Sequence, residues 1–202
     1  MPPSPTVYVV DDDPAVLRGA AEIVESLGLA VKTFPSADAF LRAYRADGPA
    51  CLVVDVRMPG MSGLELQRAL AQRGAPLPVI VITGYADVRT AVDAMKQGAL
   101  EFLEKPFRAQ ELCDSVQRAI RQDQEAWARR VQRDDAHCRI ASLTDAEREV
   151  LRAVVAGKTN KMIAVELGLS LRAVEDRRAR MMKKLQAASR AEVVALVAAL
   201  ER

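Results

Sequence analysis

Histidine is nearly absent from this chain, with His137 its single copy, and the three cysteines, Cys51, Cys113 and Cys138, are far apart and odd in number. A zinc site needs several such ligands at short spacing and a disulfide framework needs an even set, so neither is expected. No apolar run reaches the ~18 residues that a membrane span needs. The opening segment, Met1 to Thr6, also lacks the basic and apolar regions of a signal peptide. A cytoplasmic location with no membrane partner is the expectation. Glycine and proline are missing from the long interval between Pro106 and Gly157. Nothing in that interval is bound to stop a helix.

What is present describes an ordinary globular protein, half hydrophobic and 28% charged over 202 residues. That length suits one large domain or two small ones. The net charge of +2 conceals a division: residues 1–121 carry 13 Lys/Arg against 15 Asp/Glu, whereas residues 143–202 carry 12 against 8. An acidic first part joined to a basic end suggests two tasks, with any nucleic acid at the C-terminal side.

Short β-branched runs recur in the first part, at Val7 to Val10, Ala30 to Phe34, Cys51 to Val54, Val79 to Ile82 and around Phe102. Amphipathic segments of helical length separate them, such as Val16, Ala20, Ile23, Val24 and Leu27. Alternation of strand and helix predicts an α/β fold, a five-stranded doubly wound parallel sheet. Beyond Pro106 the β-branched runs stop and the remainder reads as helix. Leu112, Val116, Ile120, Trp127 and Val131 carry the apolar pattern onward, and it lapses from Asp134 to Ser142, where the domain boundary is placed.

Several chemically able residues fall at strand ends. Asp11, Asp12 and Asp13 follow the first strand, Asp55 ends the third, Thr83 ends the fourth and Lys105 follows the fifth. In a parallel sheet these are all carboxyl ends, where open α/β sheets bind their ligands. Carboxylates crowded into one crevice repel unless a cation lies between them. Mg²⁺ suits such a place, because it takes one or two carboxylates and keeps positions for water and phosphate oxygens. Asp55 is then a carboxylate nucleophile toward a phosphoryl group, with Thr83 and Lys105 as hydroxyl and cationic partners for the product.

The text VVDDD at 9–13, VDVRMPGMSG at 54–63, VITG at 81–84 and EKPF at 104–107 resembles the response regulator receiver family, over residues 6 to about 121. The resemblance implies a flavodoxin-like receiver fold and phosphorylation of Asp55 by a cognate histidine kinase. It further implies Mg²⁺ held by Asp12, Asp55 and the Arg57 carbonyl, with Asp11 reaching it through water. Thr83 and Phe102 would be the switch residues, one moving toward the phosphate and the other swinging inward. Lys105–Pro106 matches the family's cis peptide. Asp13 and Tyr85 are small departures from the family pattern.

In the C-terminal part, Thr144 followed by Glu147 has the spacing of a capping box, and the helix it starts runs to Gly157. A second helix, Lys161 to Leu167, ends at Gly168, and Ser170 caps a third from Leu171 to Leu185. Two helices joined by a turn containing glycine form a helix-turn-helix. On the third helix Val174, Met181 and Leu185 make the apolar stripe, while Arg172, Glu175, Asp176, Arg180 and Lys183 lie on another face. Residues 143–185 resemble the LuxR-type helix-turn-helix of NarL/FixJ-like regulators, a match that continues to about Val197. The resemblance implies an all-α domain whose third helix enters the major groove of double-stranded DNA. Met162, Ala173 and Arg177 depart from the residues frequent in that family, and Arg177 joins the DNA-contact candidates.

The expected organisation is a receiver domain at 1–121, a partly helical linker at 122–142 and a LuxR-type domain at 143–202. Expected partners are the kinase, DNA, RNA polymerase and, upon phosphorylation, a second copy of the chain. For that dimer the resemblance points to the fourth helix and fifth strand, roughly Asp87 to Leu103. Apolar stripes at Trp127 and Val131, and on a final helix from Arg190 to Arg202, are further contact candidates. Two rival readings are an aspartyl-phosphate enzyme and a receiver whose C-terminal helices dock protein alone. Against the first, Arg57 stands two residues beyond Asp55 where such an enzyme needs a second catalytic aspartate.

Overall fold

A computed structural model describes residues 3–75, 77–85 and 88–200. The chain divides into two compact units, Met1–Trp127 and Ala128–Arg202. The first alternates β1 (Thr6–Val10), α1 (Pro14–Ser26), β2 (Ala30–Phe34), α2 (Ala37–Ala43), β3 (Ala50–Asp55), α3 (Gly63–Gln72), β4 (Val79–Thr83), α4 (Val88–Lys96) and β5 (Glu101–Glu104). All strand pairs are parallel, in the order β2-β1-β3-β4-β5. Asp87, named above at one end of the expected dimer face, lies outside the described residues, as do the last two residues of the predicted final helix.

The three central strands are apolar apart from Thr6, Asp55 and Thr83 at their ends, because both faces of the sheet are covered. Tyr8, Val10, Leu52, Val54, Val79 and Val81 turn to one face and pack with Phe40 of α2, Leu66 and Leu70 of α3 and Ala94 of α4. The alternate residues Val7, Val9, Cys51, Val53, Ile80 and Ile82 turn to the other, against Ala20 and Val24 of α1 and Leu112, Val116 and Ile120 of a long fifth helix. That helix, α5, is continuous over Ala109–Ala141. The lapse in apolar spacing after Asp134 therefore leaves the helix intact, since no glycine or proline interrupts it.

The second unit holds α6 (Asp145–Val155), α7 (Asn160–Leu167), α8 (Leu171–Leu185) and α9 (Arg190–Ala198). Thr144 and Glu147 form the full capping box, and Thr159, Ser170 and Ser189 each cap the helix that follows. Its core joins Val150 and Val154 of α6, Ile163 of α7, Val174, Met181 and Leu185 of α8 and Val193 of α9. The predicted stripe of the third helix is thus the buried one. Among the described residues no helix is long and apolar enough to cross a membrane.

One glycine is fixed by close approach rather than by a turn. Ser62 caps α3 with a complete capping box shared with Glu65, and the Gly63 backbone N–H donates to the Val56 carbonyl at 3.1 Å. A methyl group on Gly63 would stand 2.2 Å from the Asp55 carbonyl oxygen. Gly63→Ala is therefore expected to lower stability by at least about 2 kcal/mol, since backbone must move. Gly19→Ala, in the middle of α1 with nothing near the new carbon, should instead raise stability by about 0.5–1 kcal/mol. Thermal unfolding of the two variants beside the parent chain checks both signs.

Candidate functional site

At the carboxyl ends of the strands, parallel register brings together groups far apart in sequence. β1 lies between β2 and β3, so the chain leaves β1 toward one edge and returns through β3, opening a crevice beside Asp11 and Asp55. Both carboxylates are almost fully buried, at 0% and 5% exposure. Lys105, beyond β5, reaches across, its Nζ donating to Asp11 Oδ2 at 2.5 Å and to Asp55 Oδ1 at 2.6 Å. Its backbone N–H donates to the Thr83 carbonyl at 2.7 Å, and the Lys105–Pro106 bond is cis.

Burial pushes the Asp11 carboxyl above the usual carboxylate range, against the pull of the Lys105 ammonium and the Asp13 N–H. For Lys105, burial disfavours the charge, and the hydrogen bonds to Asp11 and Asp55 outweigh it, so its pKa is raised. The remaining bonds are local. Asp55 Oδ2 accepts from the Arg57 N–H at 2.5 Å, and the buried Thr83 Oγ1 accepts from the Tyr85 N–H at 3.2 Å. Phe102 is half-buried against the sheet core. Asp13 has a purely local duty, its Oδ1 accepting from Ala15 N–H at 2.7 Å to cap α1.

The donor chemistry fits a hard divalent cation: Asp11 and Asp55 offer carboxylate oxygens that already converge on one positive charge. Asp12 is exposed. Among the described residues no three His, Cys, Asp or Glu side chains are gathered as a ready-made metal cluster. The structure thus unites Asp11, Asp55 and Lys105, sets Thr83 and Arg57 beside them, and leaves the Asp12 side chain outside that contact.

In the second unit, Arg172, Glu175, Asp176, Arg180 and Lys183 are exposed along α8, whereas Arg177 is half-buried. Two contacts unforeseen from the sequence hold α8 in place. Arg178 donates to Asn160 Oδ1 at 2.6 Å, tying α8 to the start of α7. Lys184 Nζ donates to Glu147 Oε2 at 2.7 Å, tying α8 to α6. Charge alone does not separate the basic residues of α8; the fold pairs Arg178 and Lys184 with neighbouring helices and leaves Arg172, Arg180 and Lys183 exposed.

Residues 7–117 match the response regulator receiver domain and residues 141–197 match the bacterial regulatory proteins of the luxR family. The chain belongs to the response regulators. The transcriptional regulatory protein FixJ of Azorhizobium caulinodans is 47% identical over 194 residues, covering 96% of this chain and 92% of that protein. FixJ of Bradyrhizobium diazoefficiens is 42% identical over 190 residues, covering 94% and 93%. The solved structure of the response regulator StyR superposes with a TM-score of 0.90 at 41% identity, over 97% of this chain and 99% of that one. A receiver joined to a LuxR-type DNA-binding domain makes this response regulator a phosphorylation-dependent transcriptional regulator. The receiver implies a histidine kinase as partner and the LuxR-type domain implies DNA binding.

The Lys184 ammonium, helped by the Thr144 N–H, holds the Glu147 carboxyl down at about 2. A carboxyl depressed on folding adds stability that is complete above its unfolded value of 4.5 and is lost as pH falls toward about 2. Thermal midpoints of the response regulator measured across that window should fall with pH for the LuxR-type unit. In Glu147→Gln the fall should be shallower, and an equal slope would show that the pair does not link α6 to α8 energetically.

Proposed function

We propose that Asp55 is the phosphoryl acceptor, that Asp11, Asp12, Asp55 and the Arg57 carbonyl hold Mg²⁺ beside it, and that the modified receiver promotes DNA binding by the LuxR-type domain. The observation that supports this most is Lys105 bridging two buried carboxylates. Such a site tolerates added negative charge only with cations at hand. Mg²⁺, when bound, supplies the charge that lets a phosphoryl dianion approach. A carboxylate oxygen of Asp55 then forms the new bond to phosphorus as the bond to the donor's histidine nitrogen breaks. Lys105 carries a charge-assisted hydrogen bond to the product, and the Thr83 hydroxyl turns to donate to it. Phe102, half-buried beside β4, follows Thr83 in the switch.

On α8, Arg172, Arg177, Arg180 and Lys183 contact phosphates or guanine edges, and Glu175 and Asp176 accept from cytosine amino groups. Phosphorylation raises affinity by pairing two copies, because the second half-site contact becomes intramolecular. The bound dimer then acts on transcription through RNA polymerase.

Intact-mass measurement after incubation with acetyl phosphate and Mg²⁺ should show a single phosphoryl group. Asp55→Asn, or excess chelator, should abolish it; persistent labelling in either would overturn the assignment. Lys105→Ala should still accept phosphoryl but respond weakly downstream, seen as a smaller gain in DNA affinity on phosphorylation.

For DNA, Arg180→Ala and Lys183→Ala should each weaken binding. If the lost contact is to phosphate, the slope of log affinity against log salt shrinks by about 1 per residue. Gel shifts over a salt series, on the selected target and on unrelated DNA, measure this. An unaltered slope and affinity in both variants would remove this face of α8 from the interface.

A further inference from the structure

Arg139 lies in the last turn of α5, just before the stretch that matches the luxR family, and the activity described so far gives it no part. The second compact unit begins at Ala128, so this turn belongs with the LuxR-type helices. Ala136 is buried, and Ile140 packs against the core that holds Val150, Val174 and Leu185. Spacing of i to i+3 sets Arg139 beside Ala136 on that covered face. From there its guanidinium reaches the end of α8: Nη1 donates to the Leu185 carbonyl at 3.2 Å, and Nη2 pairs with Asp135 Oδ2 at 2.6 Å. Its Nε is buried with no partner among the described residues. Partial burial of a permanent charge is costly, and these two contacts are what offset it.

The end of α8 needs a partner from outside the helix. The last four carbonyls of a helix have no bond within it; here those of Met182 and Lys183 accept from the N–H groups of Ala187 and Gln186. Leu185 is the last helical residue. Gln186 then reverses the chain at φ 53, a left-handed conformation that a residue with a side chain adopts at a cost. Arg139 secures the carbonyl just before that reversal, and it places a cation where a helix carries its negative end. Lys183, exposed in the same last turn, is the DNA-contact candidate nearest this end.

We infer that Arg139 is a positioning residue for DNA binding: it fixes the last turn of α8, and with it the place of Lys183 on the DNA. The inference rests on α8 being the face that meets DNA. Arg139 acts through the helix rather than on phosphate, because both Nη groups are engaged within the chain. Arg139→Met keeps the apolar stem and removes the guanidinium. Affinity for the selected target should then fall about three- to tenfold, the effect of losing a charged cap at a helix end. Arg139→Lys keeps a cation at that end and should regain most of the loss. In the Arg139→Met, Lys183→Ala double variant, affinity should equal that of Lys183→Ala alone, because the first change acts through the second residue. The slope of log affinity against log salt should also be that of Lys183→Ala, whereas a direct phosphate contact by Arg139 would shrink it by about 1 more.

The experiment is gel shift with the full chain over a salt series, at a temperature below the thermal midpoint of every variant. Should Arg139→Met not fold, Arg139→Gln carries the same expectations. Loss in Arg139→Met, recovery in Arg139→Lys and no added loss in the double variant support the positioning role. If Lys183→Ala weakens binding and Arg139→Met does not, the role is wrong and the α8 face stands. The role is also wrong if the two effects multiply, if the slope shrinks further in the double variant, or if Arg139→Lys recovers nothing. If neither Lys183→Ala nor Arg180→Ala weakens binding, the α8 face falls and the inference with it, whatever Arg139→Met does.

Discussion

Asp11 and Asp55 share one buried crevice because an ammonium stands between them. Taking two carboxylates out of water and placing them side by side is costly, and the cost is offset only by a positive charge within hydrogen-bond reach. Lys105 supplies that charge from the far side of the sheet, beyond β5, with its own backbone bonded to Thr83. Strand order, the turn after β5 and the placement of Thr83 all serve to bring one long side chain to two acids. The same contact keeps the crevice poised, since a group that neutralises buried acids is also at hand when a more highly charged species replaces one of them.

The LuxR-type unit applies the principle more mildly. Glu147, nearly buried, both closes a capping box at the start of α6 and receives Lys184 from α8. The helix that carries the exposed basic face is therefore located by charge as well as by its apolar stripe. Arg178, bonded to Asn160, adds a second tie on the α7 side.

Much of this was legible in the sequence, for reasons that can be named residue by residue. Strands buried on both faces announce themselves as unbroken apolar runs, which is why β3 and β4 were read within a residue or so of their ends. Asp11, Asp55, Thr83 and Lys105 were readable as a set because parallel strands must deliver their carboxyl ends to one side. Less legible were contacts that depend on rotamer and distance. The duty of Asp13 as a cap, the reach of Arg139 to the Leu185 carbonyl and the opposite fates of Arg178 and Arg180 leave no periodic trace. The demand at Gly63 did leave one, in the MPGMSG text, but only the nearness of the Asp55 carbonyl explains it. The length of α5 was obscured by its own polarity, because apolar spacing marks where a helix is covered and not where it ends.

β3 is apolar on both faces, its residues alternating between the two halves of the core. Alternation of polar and apolar side chains normally fixes how a strand is aligned with its neighbours, because a slip by one residue exposes the wrong set. In β3 that penalty is weak, for a slip merely exchanges one apolar set for another. Alignment must come from the strand's ends: the Ala50 N–H is held by the buried Asp123 carboxylate at 2.8 Å, and Asp55 is held by Lys105. The residue proposed as the phosphoryl acceptor is thereby also a marker for assembly. If Asp55 is the acceptor as proposed, the alignment of β3 and the acceptance of phosphoryl bear on one and the same side chain.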